Sequence, residues 1–193
     1  MPARLQGAAA MRALAHPTRI ALIEALRLRE TLTATEASAL IGESPTNCAF
    51  HLRALSRFGF VEEVGAGPGR RRPWRALDVP PAFSDVQDDE QSSAAARALS
   101  DVLLRHWLER LQMAQAARHT EAAEWQEALG GSQTVVHASV EELQEMVADI
   151  RAVLGRYDDR LRDATARPEG SRPVELLLFA QPYAPRPAAE ADS

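Results

Sequence analysis

The chain has 193 residues, 46% of them apolar and 25% charged, so it can bury a core and form one large domain or two small ones. Residues 1–80 hold 11 arginines against seven acids, a net charge of +4, whereas residues 81–193 hold 11 arginines against 20 acids, a net charge of −9, so the total of −5 conceals a mildly basic N-terminal part. The single cysteine, Cys48, excludes an intramolecular disulfide and a multi-thiolate metal site within one chain.

Three short helices are predicted before residue 42. The first runs from about residue 4 to residue 15 and ends at His16-Pro17. Pro17 suits the first position of the second helix, because the amide that proline lacks would have no partner there. Thr33 and Glu36 then form a capping box, which predicts the start of a third helix.

A fourth helix is predicted from Ser44 to about Arg57, after a short turn at Gly42. Glycine adopts the left-handed backbone that ends a helix, and Ser44 and Pro45 cap and begin the next one. Steps of 100° per residue place Cys48, Leu52 and Leu55 on one side, which we expect to be buried. The opposite side carries Thr46, Ala49, Phe50, Arg53 and Arg57, with Asn47 at its edge.

A strand, a basic loop and a returning strand follow this helix. FVEEV is the first strand, and the glycine-rich turn GAGPG leads directly into Arg70, Arg71 and Arg72. Three adjacent guanidinium groups on a hairpin suit phosphate binding, although a solvated basic turn is the alternative. Trp74 is expected to anchor the returning strand in the core.

The order of these elements is the layout of a winged helix-turn-helix, whose second helix enters a DNA groove while a basic hairpin grips the backbone. Phe50 fits contact with a thymine methyl group, or alternatively packing on the wing or on a dimer partner. Asn47 is suited to reading adenine, or alternatively to a role at the helix start. Arg53 and Arg57 are either DNA contacts or ordinary solvated arginines.

The segments LAHPTRIALIEAL and HLRALSRFGFVEEV, the capped helix pair between them and the glycine-arginine wing resemble the ArsR-type winged helix-turn-helix transcriptional regulators. The resemblance covers roughly residues 5–80. It implies a homodimer that binds double-stranded operator DNA with imperfect twofold symmetry, often as a repressor released by an effector. By position it assigns base-facing roles to Thr46, Asn47, Ala49, Phe50 and Arg53, and the wing to Arg70, Arg71 and Arg72. Phe50 stands where a polar residue is common.

The sequence predicts a mainly α fold with a small amount of β structure. After the winged domain (1–80) and a linker (81–92), residues 93–183 are expected to form a helical dimerisation and effector domain, followed by a disordered tail (184–193). Its elements are a long helix from Ser93 to about Leu129, a strand TVVHA, a helix from the capping box of Ser139 and Glu142 to Leu161, and a strand VELLLFA.

Metal sensing is not favoured by the residues. The thiolate version found in relatives needs cysteines on the helix before the recognition helix, and TATEASALI has none. The candidates for a zinc site across a dimer are Asp101, His106, His119 and Glu124, whose spacing does not reproduce the family's pattern. Charges on a helix surface are the favoured interpretation, and no metal or cofactor is predicted.

A small apolar effector is one further expected partner, in a pocket lined by Trp107, Trp125, Tyr157 and Phe179; the alternative is that these rings fill the core. Without a glycine-rich phosphate loop or a Gly-x-Ser-x-Gly elbow, an enzyme is not expected. The N-terminus lacks the apolar run of a signal peptide and no segment approaches a membrane span, so a cytoplasmic protein is expected. The competing functional class is a winged-helix protein-interaction adaptor without operator binding.

Overall fold

A computed structural model describes residues 7–65, 72–77 and 87–184 of the chain. It is mainly helical with one small sheet, as the sequence predicts. The helices are α1 (Ala8–Leu14), α2 (Pro17–Arg29), α3 (Ala34–Ile41), α4 (Pro45–Ser56), α5 (Glu90–Ala117), α6 (Ala123–Ala128), α7 (Val140–Gly155) and α8 (Asp159–Arg162), and the strands are β1 (Val61–Glu63) and β2 (Trp74–Ala76). Single turns of 3₁₀ helix occupy Arg118–Thr120 and Ala164–Ala166.

The helix boundaries of the N-terminal part follow from local capping. Pro17 is the first residue of α2, and the imidazole of His16 accepts a hydrogen bond from the backbone amide of Thr18, the second residue of the helix. Thr33 and Glu36 form both hydrogen bonds of the predicted capping box at the start of α3. Gly42 ends α3 in the left-handed region, with φ of 73°. These predictions are confirmed, so the short turn that separates α3 from α4 is a property of the local sequence.

One core holds α1 to α4, both strands and the first turns of α5 together. The largest fully buried side chains are those of Met11, Leu22, Leu26, Cys48, Leu52, Leu55, Val61 and Leu99. The first turns of α5 lie against α1 and bury Ala95, Ala96 and Leu99. Because α4 contributes Cys48, Leu52 and Leu55 to this core, its rotation about its own axis is fixed.

The sheet is a small antiparallel ribbon with a third chain segment at its edge. In β1 and β2, Val61 faces Ala76 and Glu63 faces Trp74. Leu32, between α2 and α3, exchanges two backbone hydrogen bonds with Trp74, at 3.0 and 2.8 Å. Trp74 is buried, as predicted. Helices α1 to α4, the turn between α3 and α4 and the ribbon of β1 and β2 form a winged helix-turn-helix.

The long helix is shorter than predicted and broken. It begins at Glu90 and ends at Ala117, whereas the sequence predicted one helix from Ser93 to about Leu129. After a single turn of 3₁₀ helix the chain forms α6. The Arg118 guanidinium donates to the carbonyl of Gln126, at 2.6 Å, and the Gln126 side chain donates to the carbonyls of His119 and Glu121. These bonds join the connection after α5 to α6, while the Thr120 hydroxyl donates to the carbonyl of Ala117 in the last turn of α5.

The two strands predicted in the C-terminal part are wrong. Thr134–Ala138 and Val174–Ala180 lie in irregular backbone that pairs with no other segment in the described part of the chain. Side chains hold the second segment along α5 instead. Glu175 contacts Arg110 at 2.9 Å, and the Phe179 ring lies 6.0 Å from that of Trp107; just before the segment, Arg172 contacts Glu121, which lies beyond the end of α5, at 2.7 Å. A strand requires a paired edge, and side-chain contacts with a helix supply none.

The second capping box is confirmed, with Ser139 and Glu142 at the start of α7. The helix ends at Gly155 rather than continuing to Leu161, and α8 follows after a turn. Of the predicted linker, residues 87–92 are described and α5 already begins within them; residues 81–86 lie outside the described part, as do residues 185–193 of the predicted tail.

Candidate nucleic-acid interface

The outer side of α4 is polar and aromatic because its inner side is committed to the core. Cys48, Leu52 and Leu55 are fully buried, and burial raises the pKa of the Cys48 thiol, with the nearby Glu43 carboxylate adding to the effect. Thr46, Phe50, Arg53 and Arg57 are exposed on the opposite side, and Asn47 and Ala49 are half-buried. The structure therefore presents all six predicted base-facing or flanking side chains from one helix.

Phe50 is the least expected member of this surface. It is 58% exposed, and its described ring contact is an edge-on approach to His51, 5.3 Å away. Neither core packing nor another ring covers its outer face among the residues described. An exposed phenyl ring on a helix costs hydration free energy, so a contact that removes it from water is favoured.

The start of α4 is held by a hydrogen-bonded cluster, in which the Ser44 cap was predicted and the contacts of Glu43 were not. The Ser44 hydroxyl caps the helix by accepting a hydrogen bond from the backbone amide of Asn47 at 3.1 Å. The Asn47 side-chain nitrogen donates to Glu43 at 2.8 Å, and the other oxygen of Glu43 accepts from the Thr18 hydroxyl of α2 at 3.2 Å. The spacing of four residues between Glu43 and Asn47 was visible in the sequence, but the contact with Thr18 depends on the packing of separate helices.

A second cluster lies beneath the middle of α4. His51 is 4% exposed; its Nδ1 accepts from the Arg19 guanidinium at 3.2 Å, and its ring lies 4.5 Å from that of His16. Arg19 also donates to the carbonyl of Ala13 at 2.6 Å. The pKa of His51 is lowered, first because burial disfavours the imidazolium ion and then because His16 and Arg19 add like charge, which outweighs the opposing effect of Glu43. His51 is therefore a buried, hydrogen-bonded residue on the inner side of α4.

Two cross-strand ion pairs mark the base of the wing. Arg72, just before β2, contacts Glu63 at 2.8 Å. Arg75 of β2 contacts Glu62, the residue opposite it in β1. Hydrogen bonding to Glu63 raises the pKa of Arg72. Arg70 and Arg71 lie outside the described residues, so the structure places only Arg72 of the predicted triplet.

Helix α4 and the base of the wing border one small cavity of about 130 Å³. Its lining includes Arg53 of α4, Arg72 and Glu63 of the wing, and residues at the start of α3. Two of the predicted DNA-binding guanidinium groups are thus brought together from different elements. Arg53 is exposed at this cavity, whereas Arg72 shares it with its ion-pair partner Glu63.

The four aromatic residues of the predicted effector pocket do not share one site. Trp107 and Phe179 contact each other, whereas Trp125 lies under the Arg172 guanidinium at 3.9 Å and Tyr157 under that of Arg160 at 4.8 Å. A cavity of about 660 Å³ between the end of α5 and α6 is lined by other residues, namely Gln115, Arg118, His119, Ala123, Gln126 and Glu127. None of the four rings is fully buried, so they do not fill a core either.

The candidate metal ligands are dispersed. His106 contacts Glu24 of α2 at 2.9 Å, while His119 contacts the carbonyl of Ala116 at 2.8 Å. Asp101 and Glu124 are exposed on α5 and α6. Within residues 7–65, 72–77 and 87–184, no three histidine, cysteine or acidic side chains are grouped as metal ligands.

A comparison with protein families matches the part of the chain that contains α2, α3 and α4. Residues 14–64, from the end of α1 to the end of β1, match a family model described as a helix-turn-helix domain. The chain carries a helix-turn-helix domain. The family that this model describes includes ArsR-type regulators, and the helix-turn-helix domain indicates a DNA-binding regulator. No curated protein matches the chain. Among the helices of the described residues, none has the length and apolar character to span a membrane.

Proposed function

We propose that this protein is an ArsR-type transcriptional regulator that binds operator DNA as a homodimer and acts as a repressor. The observation that supports this most directly is the shared location of Arg53 and Arg72, which line one cavity although they come from the recognition-position helix and from the wing. In this proposal α4 enters the major groove, where Thr46, Asn47, Ala49, Phe50 and Arg53 meet base edges. Arg57 and the wing arginines contact phosphates.

The proposed dimer rests on the distribution of exposed apolar side chains. Of the 22 large hydrophobic side chains exposed among the described residues, 18 lie between Leu104 and Tyr183 and four lie in the helix-turn-helix part. They include one stripe on α5, with Leu104, Leu108 and Leu111, and one on α7, with Leu143, Met146, Ile150 and Val153. Surface of this extent on one half of a chain is typical of an interface. A second copy that packs against α5 and α7 would bury it.

A series of ion pairs connects the C-terminal segment through α5 to α2 of the helix-turn-helix part. Glu24 of α2 contacts both His106 and Arg110 of α5, and Arg110 also contacts Glu175 of the C-terminal segment. In the proposed regulator, a small molecule that displaces this segment from α5 would remove the Glu175 contact and leave Arg110 paired with Glu24 of α2 alone. The effector is thus expected to bind near Trp107 and Phe179, where an aromatic pair adjoins the same segment.

The test is a comparison of salt-dependent DNA binding. Replacing Arg70, Arg71 and Arg72 by alanine should weaken binding to all duplexes alike and reduce the slope of log K against log salt by about 2.7, since each phosphate contact contributes about 0.9. Arg53→Ala should instead reduce the preference for the selected genomic fragment. The matched control replaces three exposed arginines remote from α4 and the wing, namely Arg97 of α5, Arg151 of α7 and Arg156 directly after α7, and so removes the same charge outside the proposed DNA interface. Equal affinities for the wing variant and the control would contradict the wing assignment.

A protein-interaction adaptor is the second candidate, and the same exposed apolar surface on α5 and α7 favours it. The two functions differ in what the purified chain binds. An adaptor would bind no genomic fragment at low salt and would co-purify with a different protein in fixed stoichiometry. A regulator would retain selected DNA fragments and would form a dimer of identical chains.

A further inference from the structure

The turn between α3 and α4 places a carboxylate beside the residue best suited to reading adenine. Glu43 follows Gly42, and the backbone amides of both residues donate to the carbonyl of Ser38, at 3.2 and 3.0 Å. These two hydrogen bonds to the end of α3 fix the backbone from which the Glu43 side chain extends. The carboxylate therefore begins from a defined position at the start of α4.

Both oxygens of that carboxylate are engaged by different helices. Oε1 accepts from the Thr18 hydroxyl in the first turn of α2 at 3.2 Å, and Thr18 is itself buried. Oε2 accepts from Nδ2 of Asn47 in the first turn of α4 at 2.8 Å. Glu43 thus bridges the helix that supports α4 and the side chain at the edge of its outer surface.

The chemistry of this contact removes an ambiguity in the Asn47 side chain. An amide group can rotate by half a turn and exchange the places of its oxygen and nitrogen, whereas an ionised carboxylate only accepts hydrogen bonds. Nδ2 must therefore face Glu43, which leaves Oδ1 and the second N–H of Asn47 for an outside partner. One acceptor and one donor are what the major-groove edge of adenine requires.

We propose that Glu43 is a positioning residue that sets the orientation of the Asn47 amide and so determines the base preference at one operator position. The inference rests on the proposed function, because it assumes that α4 reads DNA. Glu43 itself contributes little to affinity. Its negative charge lies near the proposed phosphate path, so it opposes binding to every sequence while it sharpens the choice among sequences.

The experiment begins with the unmodified chain. Genomic fragments bound by it supply an operator, and a series of duplexes with each base pair substituted gives the affinity for each. Asn47→Ala then identifies the position that Asn47 reads, where we expect the unmodified chain to discriminate about 5- to 150-fold. Absence of any preferred fragment would contradict the proposed function, before Glu43 is tested at all.

The decisive variant is Glu43→Gln, which keeps the shape of an exposed side chain but removes its charge and its acceptor-only character. Discrimination at the Asn47 position should fall about 2- to 10-fold, as expected for one lost hydrogen bond, while affinity for a random duplex stays the same or rises. Thr18→Val, which leaves the charge unchanged, should lower discrimination at the same position and nowhere else.

The matched control is Glu63→Gln, which removes one carboxylate at the base of the wing and frees Arg72. It should raise affinity for all duplexes without changing the preference at the Asn47 position. The inference is overturned if Glu43→Gln retains full discrimination, if it weakens all duplexes equally, or if Glu63→Gln loses the same discrimination. It is also overturned if Asn47→Ala alters no single position, an outcome that leaves DNA binding through other residues intact.

Discussion

His51 couples the stability of the helix-turn-helix part to pH. Its pKa in the folded chain lies below the ordinary value of 6.5, so the unfolded chain binds the proton more readily. The stabilisation is therefore fully present above pH 6.5 and is lost as pH falls from 6.5 toward the folded-state pKa. We expect the free energy of unfolding to decrease over this range, by at most about 1.4 kcal/mol per pH unit from this group.

Urea denaturation between pH 7.5 and 5 measures this effect. His51→Asn, whose side-chain oxygen can still accept from Arg19, should lower stability at pH 7.5 but reduce its dependence on pH. His137→Asn, at an exposed histidine, is the control and should follow the unmodified chain. An unchanged pH dependence in His51→Asn would show that other groups cause it.

For individual side chains, the sequence predicted which would be buried better than it predicted which polar groups would contact each other. The positions of Cys48, Leu52 and Leu55 follow from helical geometry alone, and all three are buried. The contact of His51 with Arg19 depends on how α2 and α4 cross. No periodicity within either helix specifies that crossing, so the residue pair was not predictable from pattern.

The capping boxes allow the contribution of one helix start to be measured. Thr33→Ala removes the hydroxyl that accepts from the Glu36 amide, and we expect a loss of about 1 kcal/mol in the stability of the helix-turn-helix part. Amide hydrogen exchange in the core of α2 and α4 reports it. Ser139→Ala breaks the equivalent box on α7 and is the matched control, because α7 contributes no residue to the core. Equal losses in the two variants would contradict the assignment.

Elements defined by local capping were predicted correctly, and elements that need a partner were not. Ser139 and Glu142 determine the start of α7 by themselves. Thr134–Ala138 has β-branched residues that favour a strand, yet a strand forms only against another edge. Beyond the end of α5 at Ala117, side-chain bonds from Arg118 to Gln126 and from Gln126 to Glu121 hold the connection against α6, and these contacts between residues five to eight apart are not specified by helical periodicity. Apolar periodicity continues through that break and so predicted an unbroken helix.

For the whole molecule, the central prediction is the oligomeric state. Replacing Leu108 and Leu111 by glutamate places two charges in the exposed stripe of α5, and the proposed dimer should dissociate into monomers at micromolar concentration. Light scattering after size-exclusion chromatography distinguishes the two species. Leu40→Glu is the control, since Leu40 is 49% exposed but lies on α3. A monomeric unmodified chain at the same concentration would contradict the dimer proposal.

The pair of hydrogen bonds between Leu32 and Trp74 has a mechanical consequence. It ties the returning strand of the wing to the connection between α2 and α3, so the ribbon and the helix pair share one support. A hinge between them would require both bonds to break. An inducer of the proposed dimer would therefore change the distance between the two helix-turn-helix domains, whose half-sites lie about 34 Å apart on B-form DNA. Such a signal would change the half-site spacing that the dimer can bind, rather than the angle between the wing and the helices.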